Sequence, residues 1–116
     1  MSTAEATHLI DDALWSRTLT HQLAAEMADS TLVFFYADAQ GHTQSVELQL
    51  LTPTPATETR GMCQFSVRLL GPAALLLAQQ TYRARHAAQG DFALFIGPIA
   101  RTAQGIEYEA CISHAL

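Results

Sequence analysis

The period of the hydrophobic pattern changes once along this chain, at Asp29-Ser30, and that change limits what it can fold into. Before it, apolar residues recur at helical spacing: Leu9, Ile10, Ala13 and Leu14, then Leu19, Leu23, Ala24 and Met27. After it they alternate, which is the mark of strands half-buried against a core. Residues 1–28 therefore read as a helical N-terminal segment and 30–116 as a β-rich body. Ser2-Thr3-Ala4-Glu5 has the form of a capping box. Ser16 to Thr18 breaks the segment into two helices, with Thr18 or Thr20 capping the second.

Within the body, Thr31–Ala37 and Gln44–Leu51 form a first hairpin around the turn signal Asp38-Ala39-Gln40-Gly41. Thr52–Thr59, with Pro53 and Pro55, is a loop. Met62–Leu70 alternates again, with Cys63, Phe65, Val67 and Leu69 inward. Gly71-Pro72 then opens one short helix over Ala73–Gln80, because proline suits a first helical position and good helix formers follow it. Thr81–His86 is a short strand with Tyr82, Ala84 and His86 on one face and Thr81, Arg83 and Arg85 on the other. Phe92–Ile96 is apolar on both faces, which predicts a central strand covered on both sides and ended by Gly97-Pro98. In the last strand Ile106, Tyr108, Ala110 and Ile112 alternate with Glu107, Glu109 and Cys111.

The expected fold class is α+β, mainly β: about six antiparallel strands in a meander that curls into a small barrel or a strongly twisted sheet. The expected core is Phe34, Val46, Leu48, Leu50, Phe65, Val67, Leu69, Tyr82, Phe92, Leu94, Ile96, Tyr108 and Ile112. The 116 residues fit one domain, 1–116.

Charged residues make up 15% of the chain, well below the usual ~25%. Such a surface suits contact with another chain, or is simply rich in Thr, Gln, Ser and Ala. The net charge is −5 and no basic cluster large enough to neutralise phosphates appears, so nucleic acid is not expected as a partner. No secretory leader pattern opens the sequence, and the longest apolar run, Ala73–Ala78, is too short to span a bilayer. The expectation is a cytoplasmic protein with no membrane partner. Cys63 and Cys111 both fall in strand-like segments and are expected as buried, reduced thiols; a bond joining neighbouring strands is the alternative.

No side-chain pattern assigns a catalytic, cofactor-binding or metal-binding residue. His8, His21, His42, His86 and His114 lack zinc-motif spacing, which leaves a zinc site built from distant histidines with Cys63 and Cys111 as a remote option. A cysteine nucleophile would need an exposed thiol of depressed pKa. Ser45, Ser66 and Ser113 lack a nucleophile elbow, and no phosphate-cradling loop is present. The strongest local feature is Tyr82, Arg83, Arg85 and His86, the most concentrated basic stretch in an acidic protein. Arg83 and Arg85 share the i, i+2 spacing of Glu107 and Glu109, so they either pair with those carboxylates across strands or dock an acidic partner or a second copy of the chain.

Phe65, Leu69, Gly71-Pro72, Leu77, Gln79, Thr81-Tyr82-Arg83, Arg85-His86, Gly90-Asp91-Phe92, Leu94-Phe95, Pro98-Ile99 and Tyr108-Glu109-Ala110 follow one another in a distinctive order. This order resembles a family of bacterial proteins of about 100 residues catalogued as a domain of unknown function. The resemblance implies an association with genes for phage-tail-collar-like or microcystin-dependent-like fibre proteins. It also implies an accessory, assembly or structural role, and supplies no catalytic residues. Two functional classes follow. The first is a non-enzymatic structural, assembly or interaction module whose partner is another protein or a second copy, working through an exposed sheet edge and needing no cofactor. The second is a small-molecule or lipid carrier that uses a barrel interior.

Overall fold

The computed structural model describes residues 11–116. The Ser2–Glu5 capping box and the apolar pair Leu9 and Ile10 lie outside the described residues. Helix α1 spans Asp12–Ser16 and α2 spans His21–Glu26. The break between them falls at Arg17–Thr20, and Thr20 caps α2 by accepting a hydrogen bond from the Leu23 N–H at 3.1 Å. Asp11 does the same for α1 through the Leu14 N–H. α2 buries Ala24, and Met27 beside it is buried as well. The chain then turns through Asp29 at φ 66°, and the Asp29 N–H donates to the Leu50 carbonyl. This ties the end of α2 to the barrel at the open end of its first hairpin.

The strands are β1 (Thr31–Ala37), β2 (Thr43–Leu50), β3 (Thr57–Thr59), β4 (Met62–Gly71), β5 (Gln80–His86), β6 (Gly90–Thr102) and β7 (Gly105–Ala115). All pairings are antiparallel, in the order β2-β1-β5-β6-β7-β4, and β4 pairs back with β2 through Leu50↔Leu69. The result is a closed six-stranded antiparallel barrel, with β3 as a short extra strand on β4. Alternation decides what fills it: Phe34, Leu48, Leu50, Val67, Leu69, Phe92, Ile96 and Tyr108 are almost wholly buried. Val46 and Ile112 are only partly buried and pack against this core.

Four expectations need correction. The strands do not form a simple meander: β4 is followed by β5 in the chain but pairs with β7, from Met62↔Ala115 to Gly71↔Ile106. The connection must therefore cross from β4 to β5. That crossing replaces the helix expected over Ala73–Gln80. Eight residues in a helix advance about 12 Å, whereas extended they reach about 26 Å. After one turn, in which the Leu75 N–H faces the Pro72 carbonyl, the segment runs on without helix to the start of β5. It is held by the buried Tyr108 hydroxyl, which accepts from the Leu77 N–H at 3.0 Å and donates to the Leu75 carbonyl at 3.2 Å. Leu77 is buried as a result.

Gly97-Pro98 does not end β6, because a register shift between Pro98 and Ala100 absorbs the proline and pairing with β7 resumes to Thr102↔Gly105. Nor is β6 covered on both faces. Phe92, Leu94 and Ile96 point inward, but Phe95 is 55% exposed. Gly105, at φ +140°, closes this β6–β7 turn; a Cβ there would lie 2.1 Å from the Gly71 carbonyl oxygen, so only glycine fits.

Candidate functional site

Parity along β5 splits the four residues expected to form one interaction site. Tyr82 and His86 turn inward. The Tyr82 hydroxyl donates to the Ala78 carbonyl, and burial, reinforced by nearby Tyr108, pushes its pKa up to about 12. His86 Nδ1 accepts from the Ala88 and Gln89 N–H groups at 3.1 and 3.0 Å, which leaves the proton on Nε2 to reach Ser30 Oγ at 3.0 Å. His86 is thus a fastener between the β5–β6 turn and the start of β1.

Arg83 and Arg85 face outward, but not toward Glu107 and Glu109. β5 is paired with β1 and β6, not β7, so both guanidinium groups close on Asp91 of β6. Arg83 Nε donates to Asp91 Oδ2 at 2.7 Å. Arg85 donates to both carboxylate oxygens, Nε at 2.8 Å and Nη2 at 3.2 Å, and lies over the Phe35 ring. The Arg85 hydrogen bond, helped by Arg83, holds the Asp91 carboxyl below its usual range against a smaller opposing effect of burial. Glu107 instead lies 3.8 Å from Arg68 of β4.

A different surface gathers around Cys111. The two cysteines are unpaired, and they differ: Cys63 is buried, but Cys111 is exposed, contrary to the expectation of two buried thiols. The reason is parity, since Cys111 shares the outward face of β7 with Glu107 and Glu109. Partial desolvation, then the Glu109 charge and hydrogen bond, push its thiol pKa up. That is the opposite of what a thiolate nucleophile needs.

Three cavities meet at this residue. One is an open groove of about 440 Å³ between Thr54 and Pro55 of the loop, Thr57 of β3 and the outer faces of β4 and β7. A second, of about 240 Å³, lies between β6 at Ala93–Phe95 and β7 at Cys111–His114, with Trp15 and Arg17–Leu19 as its third wall. A third, of about 200 Å³, joins Phe95 and Cys111 to Ile99 and Glu109. Trp15, Phe95 and Ile99 rim these cavities and are 60%, 55% and 46% exposed. Reading the sequence for charge and reactivity missed them. Phe95 lay hidden in a run that seemed covered on both faces, and Trp15 carries no spacing signal.

Among the described residues no three His, Cys, Asp or Glu side chains group to hold a metal ion, and no helix is long and apolar enough to cross a membrane. The four residues that sequence singled out serve the barrel wall, while Trp15 of α1 and Phe95 and Ile99 of β6 stand exposed around Cys111; Met62, Leu76 and Leu116 are exposed as well.

The molecule is thus defined as a small closed antiparallel barrel with an apolar outer surface beside one seam. Residues 19–112 match the family model described as a domain of unknown function, DUF6916, and the chain belongs to that family. No curated protein and no solved structure matches it.

Proposed function

We propose that this protein is a non-enzymatic interaction or assembly module. Its partner is another protein or a second copy of the chain, met through the outer surface of β6 and β7. The observation that carries the reading is the set Trp15, Phe95 and Ile99, large apolar side chains left in solvent around Cys111 on a barrel whose own core is filled. Clustered exposed aromatic residues on a surface poor in charge suit protein contact. The closed barrel changes the form of this reading, because closure leaves few free strand edges. The resemblance to genes found beside fibre-like proteins makes accessory service to a tail-like or fibre-like assembly, inside the cytoplasm, the setting we favour.

The test is a double change, Trp15→Ser with Phe95→Ser, followed by light scattering and by capture of partners from the native cell. We expect an unchanged circular dichroism spectrum and loss of association. Association that survives in the double variant would overturn the reading. A carrier function is the second reading, and the 440 Å³ groove favours it because that volume lies within the roughly 300–1,000 Å³ of small-ligand sites. Saturable binding of a fluorescent fatty acid, blocked by Thr57→Trp in the groove wall, would support the carrier instead.

A further inference from the structure

The register between β6 and β7 begins at Gly97↔Glu109 and runs only toward the Thr102↔Gly105 turn. On the other side of that pair the two strands separate. There β6 pairs only with β5 and β7 only with β4. In antiparallel pairing the N–H and C=O of one residue point to the same side, and successive residues alternate sides. The Leu116 N–H donates to the Gly61 carbonyl on the β4 side, so Ile112 and His114 also turn to β4, and Cys111, Ser113 and Ala115 turn the other way, into the cleft. On β6, Arg17 Nη1 donates to the Asp91 carbonyl at 2.8 Å from within that cleft, so Ala93 and Phe95 face it too. The barrel thus contains a partly open seam with two lips, each offering donors and acceptors at every second residue.

Segment 15–19 crosses this opening without pairing to it. Among the described residues it gives no main-chain hydrogen bond to β6 or β7. Its hold is through side chains: Arg17 on the Asp91 carbonyl and stacked 3.9 Å over the Phe92 ring, and Leu19 buried below. The cleft, about 240 Å³, is smaller than the roughly 300–1,000 Å³ of small-molecule sites. Unpaired strand edges are instead suited to main-chain pairing with another strand. Charge narrows the choice of strand. Glu109 stands at the closed end of the cleft, its carboxylate met by the Cys111 thiol at 3.6 Å and by no cation within salt-bridge distance among the described residues. A second copy would bring another Glu109 and a further net charge of −5.

From this geometry we infer that the β7 lip, Cys111–Ala115, accepts an extended strand from a protein partner. On its outward face that strand carries a basic residue for Glu109 and, at further positions of the same face, apolar residues for Phe95 and Trp15, and Arg17 and Thr18 give way as it enters. The inference deepens the proposed interaction role and rests on it.

The probe, a valine–lysine peptide, is a synthetic strand of about eight residues, within ordinary strand length, with one lysine followed by valines on one face and threonines on the other. Its controls are a valine–glutamate peptide and a valine–lysine peptide N-methylated at every second amide. The full chain is titrated with each by fluorescence anisotropy and followed by amide hydrogen exchange. We expect saturable binding of the valine–lysine peptide alone, with exchange at Cys111, Ser113 and Ala115 slowed about tenfold or more and Ile112 and His114 unchanged. Ser113→Pro removes a donor that faces the cleft rather than β4, so it should keep the fold and abolish binding. Arg17→Ala alone frees the crossing segment from the Asp91 carbonyl and the Phe92 ring while leaving Trp15 in place, and should tighten binding, which keeps the test decisive even if Ser113→Pro misfolds. Equal binding of the N-methylated peptide, binding without protection of those three amides, or no binding up to about 1 mM, the weak end of specific affinity, would overturn the inference. If the slot fails while Trp15→Ser with Phe95→Ser still abolishes association with a native partner, the interaction role stands and only its strand-accepting form falls.

Discussion

Along one edge β7 is paired with β4 from Ile106 to Ala115, whereas along the other it meets β6 only between Gly97↔Glu109 and Thr102↔Gly105. The same strand therefore has a sealed side and a half-open side. On the sealed side, inward residues lie opposite one another: Phe65 against Ile112, Val67 against Ala110, Leu69 against Tyr108. On the half-open side the inward residues of β6 still reach the core, but the outward ones, Phe95 foremost, meet solvent. The contrast assigns stability to one edge of β7 and accessibility to the other.

Substitution should expose that division. Leu69→Ala empties a fully buried position on the sealed seam and should cost about 2–5 kcal/mol, read by urea denaturation. Ser113→Ala, outward on the strand beside the open seam, should stay within about 0.5 kcal/mol. Comparable losses at the two positions would break the comparison. Next in size is Tyr108→Phe. It leaves the ring in place but strips the Leu77 N–H and Leu75 carbonyl of their buried partner, for about 1–3 kcal/mol. Protease cleavage within Ala73–Gln79 should then quicken more than cleavage elsewhere, because the connection keeps its ties at either end, Arg101 on the Ala73 carbonyl and Tyr82 on the Ala78 carbonyl, but loses the one at its middle.

Much of this architecture was legible in the sequence. Twofold alternation marked β2, β4, β5 and β7 and their inward sets, because one face of each is apolar and the other polar, while β1 and β6 showed as β-branched, aromatic or wholly apolar runs. A helix break at Ser16–Thr18 and a threonine cap after it could be read from residue chemistry alone, but the choice of Thr20 over Thr18 came only with the structure. The pairing order could not. Arg83 and Arg85 match Glu107 and Glu109 in spacing as well as they match Asp91, and only the crossing from β4 to β5 decides between them. Ala73–Gln80 misled for a related reason: local helix propensity was overridden by the distance to be spanned and by the distant Tyr108 hydroxyl. The candidate surface was the least legible part, since an exposed Phe95 and a buried Phe92 are written with the same letter.

A smaller effect is expected at Asp91, which joins the open strand β6 to its closed neighbour β5. Its carboxyl pKa is held below the unfolded value by Arg85 and Arg83. The stability it contributes is therefore fully present above the unfolded pKa of about 4 and is lost as pH falls through the lower folded value. Asp91→Asn should melt below the wild type at pH 7. The gap should narrow on acidification below about pH 4. A gap that is constant with pH would show that the carboxylate charge is not what Arg83 and Arg85 hold.

The smallest expected change is the double variant Arg83→Ala, Arg85→Ala. Arg85 is half exposed and Arg83 about a quarter exposed, so water and salt screen much of their attraction for Asp91. The melting temperature should fall slightly, and by less in high salt than in low. Association should be unaffected, because both guanidinium groups are already committed to Asp91 and the surface we assign to partners lies around Cys111, Phe95 and Trp15. Light scattering and partner capture at low and high salt decide this. If the barrel survives but association disappears with a strong salt dependence, the outer face of β5 is itself an interface. The division between a structural wall on β5 and a binding surface beside the β6–β7 seam would then have to be redrawn.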